Sequence, residues 1–359
     1  DGTVSVFVAG SQPLVLGNTA TQLSVDDASD FVGSGQLKLF FNRPGVTPIE
    51  IDENMLGGGS VSGLLRFNNS DMAEGRNLLG RMSIAIGRSM NYQQSMGLTL
   101  DGTKGKPLFS EPQSAAGYTS GAAQGMVDFQ TALGTSEFAA SNYEVRFTSP
   151  PGGQIIRLSD GTTTDVADFT SPTGVMVDGL TFKFTTPGTL NERVLFQPFA
   201  NAAGNLQALV YSPRDLAAAN PINAAIGPSN GGTLQLSSLE ATGQHWDTTT
   251  SRVVGTGVVK PPPPGGATLT YTDGPPAGFT ITDTGTGEQP LNIPPPAVYA
   301  PGTTVVPYIS GRPITIDGWQ ITLQGTPKEG DTVTVGDATL SGDWYKRDTG
   351  NASALMALR

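Results

Sequence analysis

The sequence predicts an α+β protein that is predominantly β. A helix-plus-hairpin domain is built from both chain ends, and two tandem small β domains, sandwich- or barrel-like, are inserted in it. Three observations carry this. Forty-seven glycines and 27 prolines in 359 residues, with abundant Thr and Ser, favour strands joined by many turns. One stretch, from Met72 to Met96, holds the long helix signal. A β phrase of roughly 60 residues is written twice, which points to tandem domains more than to a solenoid. The expected boundaries are residues 1–110 with 346–359, then 111–228, then 229–345.

The first 51 residues read as strands. Thr3 to Val8 alternates, Leu14 to Leu16 returns after a Gly-Ser turn, and Leu37 to Phe41 and Ile49 to Ile51 follow. In the helix, apolar or small residues recur at Met72, Gly75, Leu79, Met82, Ile86, Ser89, Gln93 and Met96. This three-four alternation lays a narrow stripe on one face, closer to a bundle seam than to the wide face of a globular cap. Ser70 or Asp71 is the expected N-cap with Glu74 as its capping-box acid, Gly97 is the stop, and Asp-Gly and Lys-Gly turns follow. Gly75, Gly80 and Gly87 lie in the helix interior, each costing about 1 kcal/mol relative to alanine. Such a helix needs packing to persist. Either it lies on the chain's own sheet, or its seam meets helices outside this sequence.

The first copy of the β phrase runs YEVRFTSPPGGQIIRLSDGTTTDV from Tyr143 and GVMVDGLTFKFTTPGTLNERVLFQP from Gly174. The second runs LTYTDGPPAGFTITDTGTGEQPL from Leu269 and RPITIDGWQITLQGTPKEGDTVTVGD from Arg312. Val177-Asp178-Gly179-Leu180 aligns with Ile316-Asp317-Gly318-Trp319, and Asp-Gly supplies the positive φ of a tight hairpin. PRDLAAANPI from Pro213 and NASALMAL from Asn351 read as short helices, the latter as the first turns of a longer one. The KPPPPGG run from Lys260 and the IPPPAVYAPG run around Pro295 read as stiff connectors.

Signals for chemistry are weak. A net charge of −11 with only 14% charged residues excludes nucleic acid and anionic membranes as expected partners. No apolar run approaches the roughly 18 to 20 residues of a membrane span. Cysteine is absent, which excludes disulfides, thiolate metal sites and thiol nucleophiles and suits a chain exported without oxidative folding. His245 is the single histidine; it sits in GQHWD, which reads as a surface turn, and no GxSxG elbow accompanies it. The glycine run at Gly58 lacks the βαβ context of a phosphate loop, and LTLDGTKGKPLF lacks the alternating carboxylates of a calcium loop. Asp26-Asp27, Asp52-Glu53, Asp160, Asp317 and Asp331 could in principle form a glycosidase pair, but most sit where Asp favours turns. The expectation is no enzyme, no cofactor and no metal. A secreted β-domain adhesin or glycan-binding protein is the alternative to a scaffold.

Gly58-Gly59-Ser60-Val61-Ser62-Gly63-Leu64-Leu65-Arg66-Phe67 resembles the opening of the helical domain of flagellar hook-associated junction proteins of the FlgK type. Asn77, Leu79, Met82 and Ile86 fit the same pattern. So do Asn91-Tyr92-Gln93-Gln94, Gly97, Asp101-Gly102, Gly105 and Leu108-Phe109. DGTVSVFVAGSQPLVLG is similar to that family's hairpin, IDGWQITLQGTPKEGDTVTV to β units of flagellar axial proteins, and GDWYKRDTGNASALMAL to the return into the helical domain. Asn68-Asn69 stands where the family usually has Arg-Asp, and Gln94 where a histidine often follows. The resemblance implies a structural protein, secreted unfolded and assembled as a layer between hook and filament of the extracellular flagellum. The implied partners are further copies of itself, the hook protein, the filament-side hook-associated protein, and an export chaperone bound through a C-terminal segment beyond these residues. The residues present here are expected to be monomeric alone.

Overall fold

The computed structural model describes residues 4–8, 12–130, 138–247, 252–255, 266–282, 302–316, 318–340 and 342–358. Both proline runs, apart from their final Gly266 and Gly302, lie outside the described residues, as do Thr3 and Asp317. The chain divides into two compact units: Asp1–Ala85 with Glu111–Leu206, and Ile86–Ser110 with Gln207–Arg359.

The first unit opens with two three-stranded antiparallel sheets. One joins Val6–Val8, Gln12–Leu16 and Thr19–Ala20; the other joins Gln22–Asp27, Leu37–Asn42 and Ile49–Ile51. Alternation puts Leu39 and Phe41 inward, where they meet Ile51 and Leu65. Leu65 comes from a helix, Ser60–Arg66, that begins well before the expected N-cap. Ser70 and Asp71 cap nothing, because a π turn over Phe67–Asp71 carries the chain from Ser60–Arg66 into the helix Met72–Met96. The two asparagines explain the insertion. Asn69 Oδ1 accepts the Leu37 N–H and its Nδ2 donates to the Leu37 carbonyl, both at 2.8 Å, while Asn68 donates to the Gly35 carbonyl at 2.9 Å. A π turn fits one extra residue into the helix here.

The rest of the first unit contains a β sandwich. One sheet has the order Thr163–Val166, Gly152–Arg157, Tyr143–Ser149, Arg193–Phe196; the other Val175–Val177, Leu180–Thr186, Gln124–Phe129, Ala115–Ala116. Inward residues of both sheets form one core, in which Phe147, Phe169, Phe182, Phe184 and Phe196 meet edge to face. Asp178 at φ 51° and Gly179 at φ 73° make the tight hairpin that the Asp-Gly pair predicts.

In the second unit the same strand order recurs. Val305–Pro307, Gly278–Thr282, Ala267–Thr272 and Thr332–Asp337 repeat the first sheet, with Ile222–Ile226 added beyond Thr332–Asp337. Pro313–Ile316, Trp319–Gln324 and Gln235–Ala241 repeat the second. Trp319 is fully buried at the centre of this core, as its alternation predicts.

Two local expectations are corrected here. PRDLAAANPI forms only a 3-10 turn, Pro213–Asp215. Leu216 then turns extended, so that Ala219 and Leu98 exchange backbone hydrogen bonds at 2.8 and 3.2 Å. Ladder bonding to a distant segment overrides alanine's helix propensity. GQHWD is a strand, not a turn: Gln244–Asp247 pairs with Arg252–Gly255, placing His245 opposite Val254. The helix expected near the end is present as Gly350–Ala357.

Asp331 ties the second sandwich together. Its buried carboxylate accepts the N–H groups of Lys328, Gly231 and Gly232 at 2.9, 2.7 and 3.0 Å. These donors, Lys328 first, hold it below the ordinary carboxylate range. A depressed folded-state value means its stabilisation is complete above the unfolded value, about 4, and drains as pH falls through the folded one. Asp331→Asn should therefore lower the thermal midpoint at neutral pH and flatten its decline in acid. Melting curves with the same acid slope as the parent would rule this out.

Candidate assembly surface

The helix Met72–Met96 has two unlike faces. Asn77, Gly80, Ile84, Gly87, Asn91 and Gln94 recur at three-four spacing and are all buried. Most are small or carry amides, and the chain's backbone comes close to them. A Cβ on Gly80 would lie 2.2 Å from the Phe199 carbonyl oxygen, closer than real Cβ atoms come. Asn91 pairs with the Phe109 backbone in both directions at 2.9 Å. Gln94 donates to the Asp215 carbonyl at 2.9 Å and accepts from the Ala217 N–H at 3.2 Å.

The seam expected from the sequence is largely elsewhere on the helix. Leu79, Met82 and Ile86 are 55, 54 and 47% exposed, with Met72, Gly75 and Ser89 half-buried around them. A Cβ on Gly75 would meet nothing within 4 Å. Leu78 is also exposed, as are Val61, Leu64 and Phe67 on the preceding turns. Gln93 and Met96 are buried within the second unit, at 7 and 3%. Met96 enters the second sandwich's core, and Gln93 Nε2 donates to Asn351 Oδ1 at 2.7 Å. The geometry thus places Met72 through Ser89 on or beside an open apolar strip and takes the last two seam residues out of it.

Sequence reasoning missed the amide network at the end of the helix. Asn351 is fully buried and donates to the Gln93 carbonyl at 3.2 Å and the Ala217 carbonyl at 2.6 Å, besides accepting from Gln93. Gly97 and Gly105 make room for it. A Cβ on Gly97 would fall 2.2 Å from Asn351 Nδ2, and one on Gly105 2.1 Å from the Gln94 carbonyl oxygen. The available signal was the second three-four series, Asn77-Gly80-Ile84-Gly87-Asn91-Gln94, whose polar members hide it from an apolar count.

The described carboxylates considered for catalysis each hold a structural contact. Lys38 sits between Asp52 and Glu53 at 2.8 and 3.1 Å, and its ammonium holds Asp52 below the usual range. Arg157 pairs with Asp160 at 2.9 Å and holds it low. Asp27 accepts the Gly33 N–H, and Asp26 the N–H of Asp27. Asp101 closes a turn ending in Gly102 and binds Arg214 at 2.7 Å, which is the role of a turn residue. Among the described residues no group of three or more His, Asp or Glu could hold a metal ion, and no helix is long and apolar enough to cross a membrane.

A helix bonded to its own chain on one face and bare on another, ahead of repeated β sandwiches, defines a scaffold domain with an uncovered helical edge. Residues 1–109 match the family described as the flagellar hook-associated protein FlgK helical domain. Flagellar hook-associated protein 1 of Salmonella typhimurium is 28% identical over 220 residues, which cover 61% of this chain and 39% of that protein. Its Escherichia coli counterpart is 26% identical over 231 residues, 64% of this chain and 42% of that one. The fold resembles that of the flagellar hook junction protein FlgK from Burkholderia pseudomallei, with TM-score 0.70 and 23% identity over 98% of this chain and 63% of that chain. Residues 1–109 are thus similar to the helical domain of FlgK-type proteins, the resemblance that the sequence motifs carry. Its match spans about two fifths of the length of the curated relatives.

Proposed function

We propose that this chain is a structural component of the bacterial flagellum, joining hook to filament as a mechanical adaptor layer. The observation that carries the reading is the open strip of Leu79, Met82 and Ile86 on a helix whose other face is buried. A soluble monomer gains nothing from three half-exposed large apolar side chains in line; an assembling subunit does. In this reading the strip meets helices of neighbouring subunits and of segments outside these residues, while the β domains brace adjacent copies. The folding domains we propose for it follow the boundaries 1–110 with 346–359, 111–228 and 229–345, except that Ile222–Ile226, which pairs with Thr332–Asp337, goes with the second β domain. The hook protein, the filament-side hook-associated protein and an export chaperone are the proposed partners, and the extracellular flagellum the proposed location. No catalysis is part of this role.

Covering the exposed halves of those three side chains is worth about 3 kcal/mol per contact. Micromolar association needs about 8 kcal/mol. These residues alone should therefore stay monomeric, which light scattering at micromolar concentration checks. In the assembled tube the same term is repeated around the ring. The full-length protein carrying Leu79→Asp, Met82→Asp and Ile86→Asp should keep its thermal midpoint but leave hooks bare and release flagellin into the medium. Normal filaments and swimming in that strain would refute the assignment.

A further inference from the structure

Asn230-Gly231 is a chemically reactive pair outside the assembly strip. It lies in the connection between Ile222–Ile226 and Gln235–Ala241, and Asn230 is half-buried. A glycine after asparagine leaves the backbone nitrogen unhindered and its φ unrestricted, so the nitrogen can reach the side-chain carbonyl carbon. We propose that Asn230 is a spontaneous deamidation site that the folded loop holds shut. In the open chain the Gly231 nitrogen gives its proton to solvent base and attacks Asn230 Cγ. The new C–N bond closes a five-membered succinimide, and ammonia leaves with a proton from water. Hydrolysis then adds one water and yields aspartate or isoaspartate. Only water is consumed.

The native contacts oppose each part of that step. The Gly231 N–H donates to Asp331 Oδ1 at 2.7 Å, so losing this proton would place a negative nitrogen beside a carboxylate. Asn230 Oδ1 accepts the Thr332 N–H and Nδ2 donates to the Thr332 carbonyl, both at 2.8 Å. This pair of bonds fixes the amide against the start of the strand Thr332–Asp337, so the side chain must break both to turn toward the following nitrogen. Gly227 closes the pocket: a Cβ there would lie 2.2 Å from Thr332 Oγ1 and 2.5 Å from Asn230 Oδ1. Reaction therefore requires the loop to open, and its rate follows the open population. The product cannot restore the contact. An aspartate at 230 has no N–H for the Thr332 carbonyl and sets two acceptors facing each other. The site is a one-way record of time spent open.

Peptide mapping by mass spectrometry tests this on the full chain in mildly alkaline buffer, with and without urea. The 230–231 peptide should gain about 1 Da, ammonia out and water in. It should do so at least about tenfold faster in urea than in the native state, because only the open population reacts. Gly231→Ala, whose new Cβ would meet nothing closer than Lys328 Cδ at 3.4 Å, should fold normally and stop the reaction in urea. Asn230→Asp should lower the thermal midpoint where Gly231→Ala does not. Equal rates in native buffer and urea, or an Asn230→Asp chain that melts with the parent, would overturn the proposal.

Discussion

Gly80→Ala should destabilise the chain by about 2 kcal/mol or more, while Gly75→Ala, on the same helix, should stabilise it by up to about 1 kcal/mol. Helix propensity alone treats the two identically, since each replacement removes backbone freedom from the unfolded chain. Their surroundings decide the sign. At Gly75 the new methyl enters open space. At Gly80 it lands 2.2 Å from the carbonyl oxygen of Phe199 and 2.8 Å from its Cβ. The oxygen belongs to the backbone, so no rotamer change relieves it. Either the helix moves outward or the chain around Phe199 gives way, and Phe199 is buried against Phe129 and Phe138. Truncating Phe199 therefore should not rescue Gly80→Ala, because the clashing atom remains. Urea midpoints followed by helical circular dichroism separate the outcomes. Equal shifts at the two glycines would mean that close approach has no energetic weight here.

The same contrast shows what the sequence makes legible. Leu79, Met82 and Ile86 are found on an exposed strip because large apolar residues at three-four spacing stand out against polar neighbours. Hairpins at Asp178-Gly179 and the doubled strand order follow from local turn chemistry and alternation. The π turn does not, since its cause is hydrogen bonding from Asn68 and Asn69 to Gly35 and Leu37, far back in the chain. Leu216 reads as helix and turns extended for a similar reason: Leu98, the partner that fixes Ala219, is remote in sequence. Gly75 and Gly80 look alike in one dimension, and only the approach of Phe199 distinguishes a vacancy from a contact. Gln93 and Met96 continue the seam's spacing after the helix has turned them into the chain's own interior.

Asn351→Ala should cost about 4 kcal/mol, more than the one amide it removes would suggest. A single net hydrogen bond contributes about 1 kcal/mol, but a buried group left unpaired costs about 1–3. This side chain satisfies three such groups. It accepts from Gln93 Nε2 at 2.7 Å and donates to the carbonyls of Gln93 and Ala217 at 3.2 and 2.6 Å. Asn351 is fully buried and Gln93 nearly so, so water does not replace the lost partner without opening the site. Gly97→Ala pushes on the same amide from the other side and should destabilise by a mechanism shared with Asn351→Ala. In the double variant the loss should fall short of the sum, because the clash at Gly97 vanishes once Asn351 Nδ2 is gone, although the Ala217 carbonyl oxygen at 2.5 Å remains. A double-mutant cycle read from urea midpoints checks this. Strict additivity would show that Gly97 and Asn351 stabilise the chain independently, and the helix end would then not be held as one network.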